Sequence, residues 1–133
     1  MVNRQRGSGT RGMIDQLFAA NGLQTGDISG YAHEEFTHDA VATAIVSGQA
    51  DVGFGIQAAA IRYDLDFIPL TRDLYCLAAR TRIATSPAMR HLIRRFQGNT
   101  FLERLNAMPG YEASLISDDF LTWDEFVDSV KEV

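Results

Sequence analysis

The sequence predicts an α/β fold in which a largely parallel sheet is flanked by helices. Short apolar segments with strand character alternate with longer segments whose apolar residues recur every three or four positions. Glycine, proline or a capping residue stands at most of the boundaries between them. With 133 residues, 46% hydrophobic and 22% charged, the chain has the composition of an ordinary globular domain. Strands separated by helices imply right-handed crossovers between parallel neighbours.

The N-terminal elements follow from this pattern. Residues 1–5 are extended, and the glycine-rich turn after them leads into an amphipathic helix through residues 13–18 that stops at Asn21 and Gly22. Residues 27–31 are predicted as a short strand. Thr37 is the N-cap expected for a second helix, which runs to Ser47 and Gly48.

Three further strands are predicted, over residues 51–56, 65–70 and 74–79. A short alanine-rich helix separates the first two, over residues 57–63. In the first strand, DVGFGI, two glycines would allow another backbone or a ligand to approach closely.

The remainder of the chain is predicted to be helical. One helix begins at Pro87, behind Thr85 and Ser86, and another covers residues 100–108. The sequence TWDE at residues 122–125 is a capping box that opens a last amphipathic helix.

A single cysteine, Cys76, excludes an intrachain disulfide and any multi-cysteine metal site. On the predicted apolar strand it is expected to be a small core residue. The sequence has neither a long apolar run nor the apolar region of a secretory signal, so a cytoplasmic location with no membrane contact is expected.

Charge is distributed unevenly along the chain. The net charge is −5, and residues 112–133 hold seven acidic residues against one lysine. The first eleven residues instead contain three arginines and no acid. No basic helix face with interleaved aromatic residues is visible in the sequence, so direct binding of nucleic acid is not indicated.

The segment NRQRGSGTR is the strongest local candidate for a binding site. It places backbone amides, two hydroxyl groups and the positive end of a helix dipole together after a strand, which suits an oxyanion. The candidate ligand-binding residues are Arg4, Arg6, Ser8, Gly9 and Thr10. In the alternative interpretation, Ser8 or Thr10 only caps the helix and the arginines are solvated.

Catalytic patterns are weaker. The spacing of His33, His38 and His91 does not form a metal motif, and the carboxylates near them fit a solvated helix start equally well. Cys76 has no activating neighbour in the sequence. We therefore expect neither catalysis nor a cofactor.

Four segments together resemble the second half of a periplasmic-binding-protein-like domain that is often fused to a helix-turn-helix or found in molybdate-related proteins. They are NRQRGSGTR, EEFTHDAVATAIVSGQADVGFGIQAAA, LDFIPL with LYCLAAR, and FLERLNAMPGY. The resemblance implies one α/β lobe of a two-lobed, type II binding architecture over residues 1–111, with residues 112–133 as an acidic helical tail outside it. It also implies ligand binding rather than catalysis, in a solute sensor or effector domain with a helix-turn-helix or ABC-transport partner.

The opening segment is also similar to the ligand loop of ABC-type phosphate-binding proteins. Arg4 matches the arginine of that loop, and Ser8, Gly9 and Thr10 match its hydroxyl and amide donors. Arg6 stands where those proteins have an aspartate. Because arginine only donates hydrogen bonds, the similarity implies a preference for a fully deprotonated dianion such as molybdate, tungstate or sulfate.

A complete domain of the resembled type has a further lobe before this one, so we expect either a fragment or two chains that pair. A homodimer is predicted, with the tail stripe of Trp123, Phe126, Val127 and Val130 covering apolar surface. Two alternatives remain open: an interaction subunit with a vestigial anion loop, and an enzyme that handles phosphate esters.

Overall fold

A computed structural model describes residues 1–113 and 120–131 of the chain. The chain divides into two compact units, residues 1–71 and residues 72–133. The predicted domain boundary after residue 111 stays a prediction. The described residues do not include three acids of the predicted tail, Asp118, Asp119 and Glu132, or the side chain of Val130.

The first unit is mixed α/β, mostly helical, with a small parallel sheet. Strand β1 (Asn3–Arg4) pairs in parallel with β2 (Glu34–Glu35), in a register that places Asn3 beside Glu34. On the other side of β1, Val2 forms a parallel bridge with Gly53. The β1 segment is therefore central, between two segments that come later in the chain.

Three helices surround this sheet: α1 (Gly9–Ala20), α2 (His38–Val46) and α3 (Gln57–Arg62). The Thr37 hydroxyl accepts from the Ala40 amide at 3.0 Å, as predicted for the N-cap of α2. The Ser8 hydroxyl accepts from the Arg11 amide at 3.2 Å and so caps α1, as in the alternative interpretation of the opening segment. The Thr37 contact confirms the predicted start of α2, and each of the two contacts satisfies an amide that a helix leaves unpaired.

A small core lies where α2 crosses the central segment. Its buried members are Val2, Val41, Ala44 and Ala50. Gly53 is in tight contact with it: a Cβ added there would lie 2.6 Å from a methyl carbon of Val41 and 2.8 Å from one of Val2. The predicted close approach at this glycine is therefore confirmed.

Several predicted strands are wrong. In place of the strand predicted at residues 27–31, Asp27 ends a short 3₁₀ helix (Thr25–Asp27) and residues 28–31 form a bend and turns. Strand β2 lies instead at the polar pair Glu34–Glu35. The predicted strand at 51–56 is reduced to the bridge at Gly53, and Val52 is exposed. The polar pair forms the strand because main-chain groups of His33 and Glu35 hydrogen-bond to the central segment, and those bonds do not depend on side-chain type.

Residues 65–70 and 74–79 are not strands in the structure, and many of their apolar side chains are exposed. Ile68 is 80% exposed and Tyr75 is 76% exposed. Cys76 is exposed as well, which corrects its prediction as a core residue. Apolar alternation stabilises a strand only through pairing with a neighbouring strand, and no described residue supplies such pairing here.

The second unit is helical in its described part, with α4 (Thr81–Ala84), α5 (Pro87–Phe96), α6 (Asn99–Asn106) and α7 (Trp123–Lys131). Ser86 caps α5 by accepting from the Met89 amide, and Pro87 occupies the first turn as predicted. No helix among the described residues is long and apolar enough to cross a membrane.

The capping box of α7 also forms. The Glu125 carboxylate accepts from the amide of Thr122 at 2.7 Å and from its hydroxyl at 2.8 Å. These bonds hold the pKa of Glu125 below its usual range. The prediction that the tail contains a capped amphipathic helix is confirmed for Trp123–Lys131.

Candidate functional site

The loops that follow the parallel segments lie at one edge of the small sheet. After β1 the chain enters α1, after β2 it enters α2, and after the bridge at Gly53 it enters α3. Because the three segments are parallel, their carboxyl ends and the starts of these helices face the same side. Ligands of open α/β sheets bind at this edge.

A pocket of about 410 Å³ opens at that edge. Arginine, histidine, threonine and aspartate side chains form its polar part, and aromatic and aliphatic side chains form its apolar part. The lining residues are Arg4, Phe36, Thr37, His38, Asp39, Ile56, Ala59 and Arg62. Its volume lies in the range typical of small-molecule sites.

Arg4 is the most buried charged group of the pocket, with 7% of its surface exposed. Its Nη1 atom lies 2.9 Å from both ring nitrogens of His38, and its Nη2 atom donates to the Phe36 carbonyl at 3.1 Å. No carboxylate of the described chain lies within ion-pair distance of Arg4. A buried cation without a carboxylate partner favours a bound anion, because burial removes the water that would otherwise stabilise the charge.

The start of α2 adds to the positive potential. Backbone amides at the beginning of a helix carry partial positive charge, and His38 and Asp39 occupy the first two positions of α2. The Asp39 carboxylate accepts two hydrogen bonds from Arg62, at 2.8 and 2.9 Å. This ion pair spans α2 and α3 on the rim of the pocket, where both side chains are about half exposed.

The structure places only one of the five predicted ligand-binding residues, Arg4, in the lining of the pocket. The Ser8 hydroxyl is used as the cap of α1, and Gly9 and Thr10 form the first turn of that helix. The Arg6 side chain is 82% exposed and lies 3.4 Å from Glu34. The predicted cluster is therefore divided between the pocket and the start of α1.

Arg11 has a structural environment that contrasts with that of Arg4. Its side chain is 5% exposed, and it contacts Asp15 at 3.0 Å and Glu34 at 2.8 Å. It also donates to the Arg4 carbonyl and lies over the ring of Tyr31. Two carboxylates neutralise this buried arginine, so it joins α1 to β1 and β2 rather than attracting a ligand.

The pKa values of this network agree with its geometry. Burial opposes the charge of Arg11, but its interactions with Tyr31, Glu34 and Asp15 outweigh that effect and raise its pKa. Burial also opposes the charge of Asp15, whereas the Tyr31 hydroxyl, which donates to it at 2.6 Å, and Arg11 lower its pKa below 3.8. The hydrogen bond from Arg11 likewise lowers the pKa of Glu34 below 4.5.

Sequence reasoning missed most of the pocket. The sequence pattern raises His38 only as a metal ligand, with a spacing that does not form a metal motif, and it does not single out Arg62. The available signal was the N-cap Thr37: a capped helix that directly follows a strand brings the residues of its first turn to the ligand-binding edge. Among the described residues, no group of three or more histidine, cysteine, aspartate or glutamate side chains is placed to hold a metal ion.

Comparison with known proteins identifies the class. The PBP superfamily domain matches this chain over residues 1–97, and the chain belongs to that family. Membership suggests ligand binding and specifies no ligand. No solved structure matches the chain.

Two bacterial proteins are similar in sequence. The chain is 30% identical over 115 residues to the uncharacterized protein YvgK of Bacillus subtilis, covering 86% of this chain and 37% of YvgK. It is 29% identical over 103 residues to an uncharacterized protein in the ferredoxin 2Fe-2S gene 5′ region of Clostridium pasteurianum, covering 77% of this chain and 91% of that protein. This chain thus spans little more than a third of the length of YvgK.

Proposed function

We propose that the protein binds a small oxyanion in the pocket beside Arg4, as the solute-binding part of a sensor or effector system, without catalysing a reaction. The observation that carries this proposal is the buried guanidinium of Arg4, which no described carboxylate neutralises. Family membership supports ligand binding in general. The charge of Arg4 supports an anion as the ligand.

The charges around the pocket support the same ligand class. Arg4 and Arg62 are cationic, the start of α2 adds partial positive charge, and among the described residues Asp39 is the one carboxylate of the lining. Arg62 already engages Asp39 through two hydrogen bonds. An entering anion therefore meets a net positive site, and Arg62 is close enough to the rim to turn toward it.

We further propose a preference for dianions such as molybdate, tungstate and sulfate. A protonated oxyanion needs an acceptor for its own hydrogen, and Asp39 is the carboxylate that would provide one. While Asp39 accepts from Arg62, that capacity is reduced. Arginine donors and helix amides recognise fully deprotonated oxygens.

The apolar part of the lining favours a second candidate, an anion carried on a small organic group such as a phosphate ester. Phe36, Ile56 and Ala59 would contact that group while Arg4 held the charged end. Screening phosphate esters for binding and for hydrolysis separates a carrier of such compounds from an enzyme that acts on them. The other alternative, an interaction subunit with a vestigial anion loop, predicts no anion binding.

Calorimetric titration of the protein with molybdate, tungstate, sulfate and phosphate at matched ionic strength tests the proposal. We expect saturable binding of the three dianions, and weaker binding of phosphate at pH 6, where most of it is the doubly protonated monoanion. Sodium chloride at the same ionic strength is the control for nonspecific screening. Absence of saturable binding for every oxyanion and organic phosphate would contradict a binding function for this pocket.

A further inference from the structure

Helix α5 presents a basic face that the pocket does not use. The helical repeat places four exposed side chains on one side of α5, opposite Met89, Ile93 and Phe96. These four are Arg90, His91, Arg94 and Arg95. The chain as a whole has a net charge of −5, whereas this face of α5 is basic. A basic face of this kind suits an acidic partner.

Within the described part of the chain, no carboxylate lies within ion-pair distance of any of these four residues. Arg90 donates to the Thr85 carbonyl, which is neutral. Arg90 and Arg94 are four residues apart, and like charges at that spacing destabilise a helix. A negatively charged surface against α5 would remove this repulsion.

Helix α7 has the complementary character. Asp124 and Asp128 lie four residues apart on one face, with Glu125 beside them. Trp123, on the adjacent apolar face, is 74% exposed and packs against Phe126 in a tilted arrangement with ring centroids 5.9 Å apart. Among the described residues, α7 makes no extensive contact with any other helix.

We infer that α7 of one copy of the protein docks on the basic face of α5 in a second copy, and that the second copy does the same in return. The acidic pair of α7 has the same helical spacing as the Arg90 and Arg94 pair. Exchange of identical helices gives two equal contacts related by a twofold axis, which closes the assembly as a dimer. The exposed Trp123 supplies apolar surface beside the charged contacts. This inference does not depend on the ligand pocket.

The mass of the protein in solution, measured by light scattering at low ionic strength, tests the inference. We expect twice the chain mass of 14.7 kDa, falling to the chain mass at high salt because the charges are screened. Charge reversal on either helix should give the single-chain mass: Arg94→Glu with Arg95→Glu on α5, or Asp124→Arg with Asp128→Arg on α7. Arg104→Glu, the same change in the last turn of α6, is the matched control and should leave the dimer intact.

Mixing the two reversed variants provides the most specific test. In a mixed dimer both contacts again join opposite charges, so the mixture should recover the double mass that neither variant has alone. Recovery also shows that both variants are folded. If reversal at α5 unfolds the helix, Arg94→Gln with Arg95→Gln replaces it and should weaken the dimer at least tenfold.

Three results would overturn the inference. These are a single-chain mass for the natural protein, an unchanged dimer in the reversed variants, or a mixture that stays monomeric. Trp123 is the single tryptophan, so its fluorescence reports on α7 alone. If the protein is a monomer and its Trp123 emission shifts when the charges of α5 are reversed, α7 contacts α5 of the same chain. That result would also contradict the exchange.

Discussion

Replacing Arg4 by glutamine is expected to weaken oxyanion binding more than any other single substitution in the pocket. A guanidinium offers two parallel donors to an oxyanion, and a charged hydrogen bond contributes about 1.5–3 kcal/mol. Losing both donors and the charge should lower affinity by more than about 100-fold, at 1.4 kcal/mol for each factor of ten. Calorimetric titration of tungstate into both proteins measures the effect.

Two substitutions provide the controls, at predicted ligand-binding residues that do not line the pocket. Arg6→Gln removes an exposed arginine, and Thr10→Val removes a hydroxyl from the first turn of α1. If the anion lies in the pocket, both should bind within a few fold of the natural protein. Arg4→Lys should retain part of the affinity, because it keeps the charge but loses the paired geometry. Unchanged affinity in Arg4→Gln, with loss in Thr10→Val, would move the site to the start of α1.

Replacing Arg11 by glutamine is expected to have the largest effect on folding. Removing one partner of a fully buried ion pair costs about 3–5 kcal/mol. Asp15 and Glu34 keep 43% and 27% of their side chains exposed, so solvent screening reduces the expected loss at pH 7 to about 2 kcal/mol. Urea denaturation measures the loss. Arg6→Gln, which removes an exposed arginine beside the same Glu34, should change stability little.

The loss of folding stability in Arg11→Gln should also depend on pH and should become smaller as the pH falls. The folded-state pKa values of Asp15 and Glu34 are lowered, so their stabilising contribution is present above the ordinary values of 3.8 and 4.5. It disappears as pH falls through the lowered values, because both carboxylates then take up protons in the folded state as well. The difference between the natural protein and Arg11→Gln should therefore shrink at low pH. A difference that is as large at pH 2 as at pH 7 would show that Arg11 acts through packing rather than charge.

Local signals in the sequence predicted the helices well. The starts of α1, α2, α5 and α7 each depend on a capping side chain that contacts its own helix, so a few neighbouring residues contain all the information. Strands were predicted poorly because pairing is a contact between distant parts of the chain. Glu34–Glu35 pairs with β1 despite its polarity, whereas the apolar residues 74–79 pair with no described strand.

The same distinction applies to the candidate site. Arg4 could be singled out because it stands in a recognisable strand, turn and helix pattern. Its contact with His38 spans 34 positions, and the pair of Asp39 and Arg62 spans 23. Neither follows from local sequence, since each depends on which helices the parallel segments bring to one edge.

The most direct test of an anion site at Arg4 is the position of bound tungstate in a crystal, located by the anomalous scattering of tungsten. The structure predicts a tungsten peak in the pocket, with the oxygens of the bound tungstate within hydrogen-bond distance of the Arg4 guanidinium and the first amides of α2. A peak on the Ser8 to Thr10 amides, away from Arg4, or no peak at a concentration that saturates binding in solution, would contradict this placement.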